Sequence, residues 1–159
     1  MKRLWAPWRA KYILSNKNDK EGCIFCQKSK EHKDEENYIL FRGKTCLVML
    51  NTFPYNNGHL MIVPYRHIGS LEKLRPEEGQ ELVEIASRML TLLKKVLHPE
   101  GFNLGMNIGE VAGAGIAGHL HLHIVPRWKG DSNFMPVLSD VKVISVSLDE
   151  TYRKLKENM

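Results

Sequence analysis

A chain of 159 residues, 43% hydrophobic and 26% charged, has the composition of a soluble globular protein able to bury about two-thirds of its unfolded surface, and no apolar run approaches the roughly 20 residues of a membrane span. Its net charge of +5 favours anionic partners. The basic residues are interspersed with glutamates, as in Glu31–Glu36 and Lys94–Glu100, so no nucleic-acid surface is expected and a small phosphorylated ligand fits better.

Leu4 to Trp8 is interrupted by Pro7, so no signal-peptide core is read there, and the odd number of cysteines suits a reducing compartment; the cytoplasm is expected. Without repeats or long linkers, one domain over 1–159 is the economical assignment, with about 1–37 an extension carrying a close cysteine pair. In chain order, Ser15–Glu21 reads as a surface loop, and Tyr38–Phe41, Thr45–Leu50 and His59–Pro64 as strands between turn residues. Cys46 within the second reads as a small buried apolar residue, and Asn56-Asn57-Gly58 as a turn before the third. From Pro76, apolar residues recur at helical spacing through Leu82, Ile85, Met89, Leu93 and Val96, predicting a long core-packing helix closed by His98 and Pro99. Phe102–Ile108 and His119–Pro126 are predicted strands flanking a glycine-rich segment, and Leu148–Lys156 a short terminal helix. One long helix offers too few crossovers for a parallel sheet, so an α+β fold with antiparallel pairing is expected.

The chemistry concentrates in the last strand. Alternation sends His119, His121 and His123 to one face and Leu120, Leu122 and Ile124 to the other. The outer histidines stand ~13 Å apart at the backbone, too far for one metal to use all three. A division of labour follows: His121 attacks a phosphorus while its neighbours fix geometry and neutralise phosphate charge. His121 must then be neutral, with an acceptor such as a backbone carbonyl holding its proton on the other ring nitrogen. Gly109, Gly113, Gly115 and Gly118 would let backbone amides approach phosphate oxygens.

Gly118-His-Leu-His-Leu-His-Ile-Val-Pro126 resembles the signature of the histidine-triad superfamily, three histidines separated by apolar residues. Leu50-Asn51 with Gly58-His59-Leu60 and Val63-Pro64 looks like its other nucleotide-binding segment. Leu4-Trp5-Ala6-Pro7-Trp8-Arg9, Pro54-Tyr55-Asn56 and Val125-Pro126-Arg127-Trp128 resemble the bacterial diadenosine tetraphosphate phosphorylase branch. The resemblance implies an antiparallel sheet of about five strands, a homodimer, and a nucleotidyl-histidine intermediate on His121. It implies that His123 and Asn107 contact the attacked phosphate, that Asn51 binds ribose, and that His59 stands beside the site. Gly113, Ala114, Gly115 and Ile116 fall where the phosphate-contacting loop lies, but lack the hydroxyl or glutamine side chain that relatives often carry there.

Cys23-Ile-Phe-Cys26 has the spacing that lets two thiolates grip one zinc. Redox motifs share it, but want a helix start after a strand in a βαβ setting, and none is read here. His67 and His119 are the candidates for two further ligands, a choice that resembles the zinc site of galactose-1-phosphate uridylyltransferase and of some bacterial triad proteins. Such a zinc would brace the nucleophile strand and remove His119 from acid-base work. The expected activity is cleavage of dinucleoside polyphosphates, with phosphate or water as final acceptor. A nucleoside phosphoramidase, or a protein that binds nucleotides without turnover, are the rivals.

Overall fold

In the computed structural model of the chain, residues 22–132 and 143–159 are described; the expected loop at Ser15–Glu21 and the Leu4–Arg9 motif lie outside them. The elements are α1 (Ile24–Lys30), β1 (Ile39–Arg42), β2 (Cys46–Leu50), β3 (Leu60–Pro64), α2 (Pro76–Leu97), β4 (Gly101–Gly105), β5 (Leu122–Arg127) and α3 (Leu148–Glu157), with 3-10 turns at Leu71–Lys73 and Glu110–Ala112. The sheet runs β1-β2-β3-β5-β4, every pair antiparallel. This is the α+β architecture expected from one long helix.

Every residue of β2 and β3 is buried, because both faces of the sheet are covered. Alternation divides them. Cys46, Val48, Leu50, Leu60, Ile62 and Ile124 meet Leu82, Ile85, Met89 and Leu93 of α2 and Tyr152 and Leu155 of α3. Leu47, Met49, Met61 and Val63 face the opposite way and pack with Ile39 and Phe25 of α1. The register pairs His123 with Met61 and Leu122 with Ile62. Cross-strand partners share a face, so His123 belongs to the α1 side and Leu122 to the α2 side.

Local chemistry sets the long helix. Pro76 fixes the first turn, and Glu78 reaches back to accept the Arg75 amide at 2.8 Å. His98, at φ 49°, closes the helix in a left-handed conformation. Glu78 is itself buried and accepts both arms of Arg66, at 2.8 and 2.6 Å, which ties the segment after β3 to the helix start. Glu81 accepts the Lys44 amide at 2.6 Å and also those of Thr45 and Cys46, pinning the β1–β2 turn.

Beyond one-residue shifts at other ends, two boundaries and one element differ from expectation. The strand expected from His119 begins at Leu122, because the Leu120 amide donates to the Ile68 carbonyl at 2.6 Å and draws this stretch off the β3 ladder. The strand expected over Phe102–Ile108 ends at Gly105, the last residue registered with β5. Helix α1 was not expected at all; it spans seven residues and its cap, Cys23, makes no side-chain cap bond, so neither periodicity nor capping marks it.

Candidate functional site

The three triad histidines are buried, at 1, 5 and 7% exposure in chain order, and lie in a row beneath α1. Phe25 packs its ring edge-on to His119 at 5.4 Å between centroids and tilted to His121 at 5.1 Å, and the His121 and His123 rings stand 4.7 Å apart. His121 Nδ1 is 2.8 Å from the His119 carbonyl oxygen. A carbonyl only accepts, so Nδ1 carries the proton and Nε2 keeps a bare lone pair. This supplies the tautomer lock expected from the sequence, and the acceptor is the backbone of the neighbouring histidine. Burial pushes the His121 pKa down, opposed by that bond, so burial favours the neutral ring.

His59, fully buried just before β3, reaches His123: its Nε2 is 2.9 Å from His123 Nδ1. Tyr55 lies over both rings, 4.7 Å from His59 and 5.6 Å from His123, and its amide donates to His59 Nδ1 at 3.0 Å. Asn51 stands at the other end of this loop, its Oδ1 accepting the Phe53 amide at 2.9 Å and its Nδ2 3.4 Å from His59 Nδ1. Asn51, His59 and His123 are thus gathered at one place. Asn107 lies two residues past Gly105, the partner of His123, and its Nδ2 approaches the Gly113 carbonyl at 3.4 Å.

The glycine-rich segment is a 3-10 turn with Gly113, at φ 86°, as its cap. The Gly113 amide donates to Glu110 and that of Ala114 to Gly109, so engaging a phosphate with those two amides requires the turn to open. Ile116 packs against the apolar cluster around Phe25. Gly118 serves another purpose: a Cβ there would stand 3.4 Å from His67 Nε2, so its lack of a side chain admits the ring.

Four ligand atoms converge behind the row: one each from Cys23, Cys26, His67 and His119, all within 4.8 Å of one another. His119 Nδ1 is 3.2 Å from Cys23 Sγ, 3.5 Å from Cys26 Sγ and 3.2 Å from His67 Nδ1; Cys26 Sγ is 3.4 Å from His67 Nδ1. A tetrahedral ion with metal–nitrogen bonds of ~2.0–2.1 Å and metal–sulfur bonds of ~2.3 Å has edges of roughly 3.3–3.8 Å, and these four separations lie near or just below the short end of that range. His119 Nε2 donates to the Pro64 carbonyl at 2.8 Å, leaving Nδ1 bare, as metal-binding imidazoles are commonly held. Burial, with the neighbouring Cys23 adding to it, raises the Cys26 pKa; a cation between the sulfurs would reverse that pressure. The cluster can hold a metal ion. The cysteine pair does stand at a helix start, but among the described residues the wholly antiparallel sheet offers no βαβ unit around it.

Phe25 and Tyr55 are the contacts sequence reasoning missed. Both sat inside quoted motifs, Phe25 in the cysteine spacer and Tyr55 in Pro54-Tyr55-Asn56, so an aromatic within such a motif was the available signal.

The chain is similar to known proteins. An AP-4-A phosphorylase of Mycobacterium tuberculosis is 40% identical, over 98% of this chain and 83% of that protein. An asymmetrical bis(5'-nucleosyl)-tetraphosphatase of Schizosaccharomyces pombe is 30% identical over 58% of this chain and 50% of its own length. Among solved structures, a Zn-bound histidine triad family protein from Mycobacterium smegmatis shares the fold with a TM-score of 0.69, at 24% identity over 86% of this chain and 92% of that one. The model of the HIT domain matches residues 32–130, from before β1 to beyond β5, and with 40% identity to a curated relative along nearly the whole length this chain belongs to the HIT family.

Proposed function

We propose that the protein cleaves dinucleoside polyphosphates of the diadenosine tetraphosphate type through a nucleotidyl-histidine intermediate on His121. The observation that carries this reading is the bond from His121 Nδ1 to the His119 carbonyl, because it aims the basic Nε2 away from its own backbone. The Nε2 lone pair attacks the α-phosphorus, the bond from phosphorus to the bridging oxygen breaks, and a nucleoside polyphosphate leaves. An oxygen of phosphate or water then attacks the same phosphorus, the phosphorus–nitrogen bond breaks, and neutral His121 returns. His123 and Asn107 stabilise charge on the phosphoryl oxygens, Asn51 holds the ribose, His59 supports His123, and the Gly113–Ile116 loop lies along the phosphates. The 40% identity to a phosphorylase favours phosphate as the acceptor.

The metal is zinc in this reading, held by Cys23, Cys26, His67 and His119. The donor set of two sulfurs and two imidazoles suits that ion. When bound it supplies structural bracing: α1 is tied to the residue before the nucleophile pair, and Phe25 is held against His121. The chain acts as a homodimer in a reducing compartment, with β4, the terminal strand of the sheet order, as the pairing edge; Asn103, Leu104 and Gly105 are exposed there.

Incubation with diadenosine tetraphosphate, with and without phosphate, tests the activity. ATP with ADP, dependent on phosphate, marks a phosphorylase; ATP with AMP marks a hydrolase. No turnover under either condition contradicts the proposal.

A further inference from the structure

Asp131, just past β5, has no part in the roles given above, yet its carboxylate is 8% exposed and completely engaged. Its Oδ2 accepts Arg127 Nε at 2.7 Å, the Trp128 amide at 3.0 Å and Asn56 Nδ2 at 2.8 Å, while Oδ1 accepts Arg127 Nη2 at 2.9 Å. The Arg127 fork holds its pKa down at about 2, so it is a carboxylate throughout the neutral range.

Asn56 carries the connection towards the histidines. The same Nδ2 donates to the Pro126 carbonyl at 3.1 Å, and Oδ1 accepts the Asn57 amide at 3.1 Å. The side chain thus rivets the loop before β3 to the segment that ends β5. The Asn56 carbonyl accepts the His59 amide at 3.2 Å, and the Tyr55 amide donates to His59 Nδ1 at 3.0 Å. A backbone amide cannot accept. His59 Nδ1 must therefore be bare, which makes this fully buried ring neutral and puts its proton on Nε2. That proton points at His123 Nδ1, 2.9 Å away. His123 Nδ1 must accept it, and the His123 proton is left on Nε2.

We propose that Asp131 is a positioning residue which, through Asn56, the Tyr55 amide and His59, holds His123 in the tautomer protonated on Nε2, opposite to that of His121. Adjacent imidazoles are thereby divided into a bare nitrogen for attack and an N–H for the phosphoryl oxygens. The catalytic meaning rests on the proposed role of His121; the tautomer does not.

Long-range proton–nitrogen correlation of the 15N-labelled full-length protein reads the tautomers directly. The wild type is expected to show His123 protonated on Nε2 and His121 on Nδ1. Asp131→Ala should average the His123 tautomers and lower kcat roughly tenfold with a smaller change in KM, as the loss of an oriented donor requires. Asn56→Ala, which keeps the Arg127–Asp131 pair, should shift His123 in the same way and serves if Asp131→Ala does not fold. An unaltered His123 signal and kcat in a folded variant overturns the proposal, as does a wild-type His123 protonated on Nδ1 in protein that cleaves diadenosine tetraphosphate. Opposed tautomers in wild-type protein that cleaves nothing support the relay and count against the proposed function alone.

Discussion

His119 and His121 differ by two residues and by which nitrogen a carbonyl takes. Pro64 claims Nε2 of His119 and so frees Nδ1 for a metal; the His119 carbonyl claims Nδ1 of His121 and so frees Nε2 for attack. The spacing of the row was legible in the sequence, since period two fixes the shared face. The nitrogen assignments were not, because they depend on carbonyls that only the folded backbone delivers. Phe25 and Tyr55 stand in motifs the sequence displays, but their contacts with His119 and His123 join residues far apart in the chain and only the fold delivers them. For the metal cluster, Cys26→Ser removes one of the four donors proposed for zinc while keeping the apolar side chains that pack on β2 and β3. Metal analysis of the purified variant is expected to show less than a tenth of the wild-type zinc, with a lower melting temperature; full zinc occupancy would refute Cys26 as a ligand.

Helix α2 was readable from its apolar stripe, and the stripe is what packs on the sheet. Leu93 in that stripe is completely buried, and Leu93→Ala should cost about 2–5 kcal/mol in urea unfolding; a loss below 1 kcal/mol would mean that the helix is not seated as described. At the start of the same helix, Glu78 is held by Arg66, with the Arg75 amide assisting, at a pKa of about 2, below the ordinary value near 4 of an unfolded chain. A lowered folded pKa contributes stability that is complete above about pH 4 and is lost as pH falls towards 2. Glu78→Gln should therefore lower stability at neutral pH and flatten its decline in that window; an unchanged acid slope would show that the pair contributes nothing. Helix α1 was the element that sequence patterns could not reveal, because seven residues are too short to display a period.

At the scale of the molecule, the α+β class and the antiparallel sheet were foreseeable from one long helix among five strand-like runs. The order β3-β5-β4 was not, since nothing in a run of apolar residues names its partner. That order sets the triad strand between β3 and the terminal strand β4. If β4 is the dimer edge, Leu104→Glu should lower the sedimenting mass to that of a single chain; a dimer persisting at micromolar concentration would exclude this edge. No helix among the described residues is long and apolar enough to cross a membrane. Covalent chemistry at His121 is read by mass spectrometry of protein quenched during turnover of diadenosine tetraphosphate. The expected result is an acid-labile adenylyl group on the peptide containing His121, absent from His121→Asn, which still binds nucleotide. An adduct on another residue, or undiminished cleavage by His121→Asn, would contradict it.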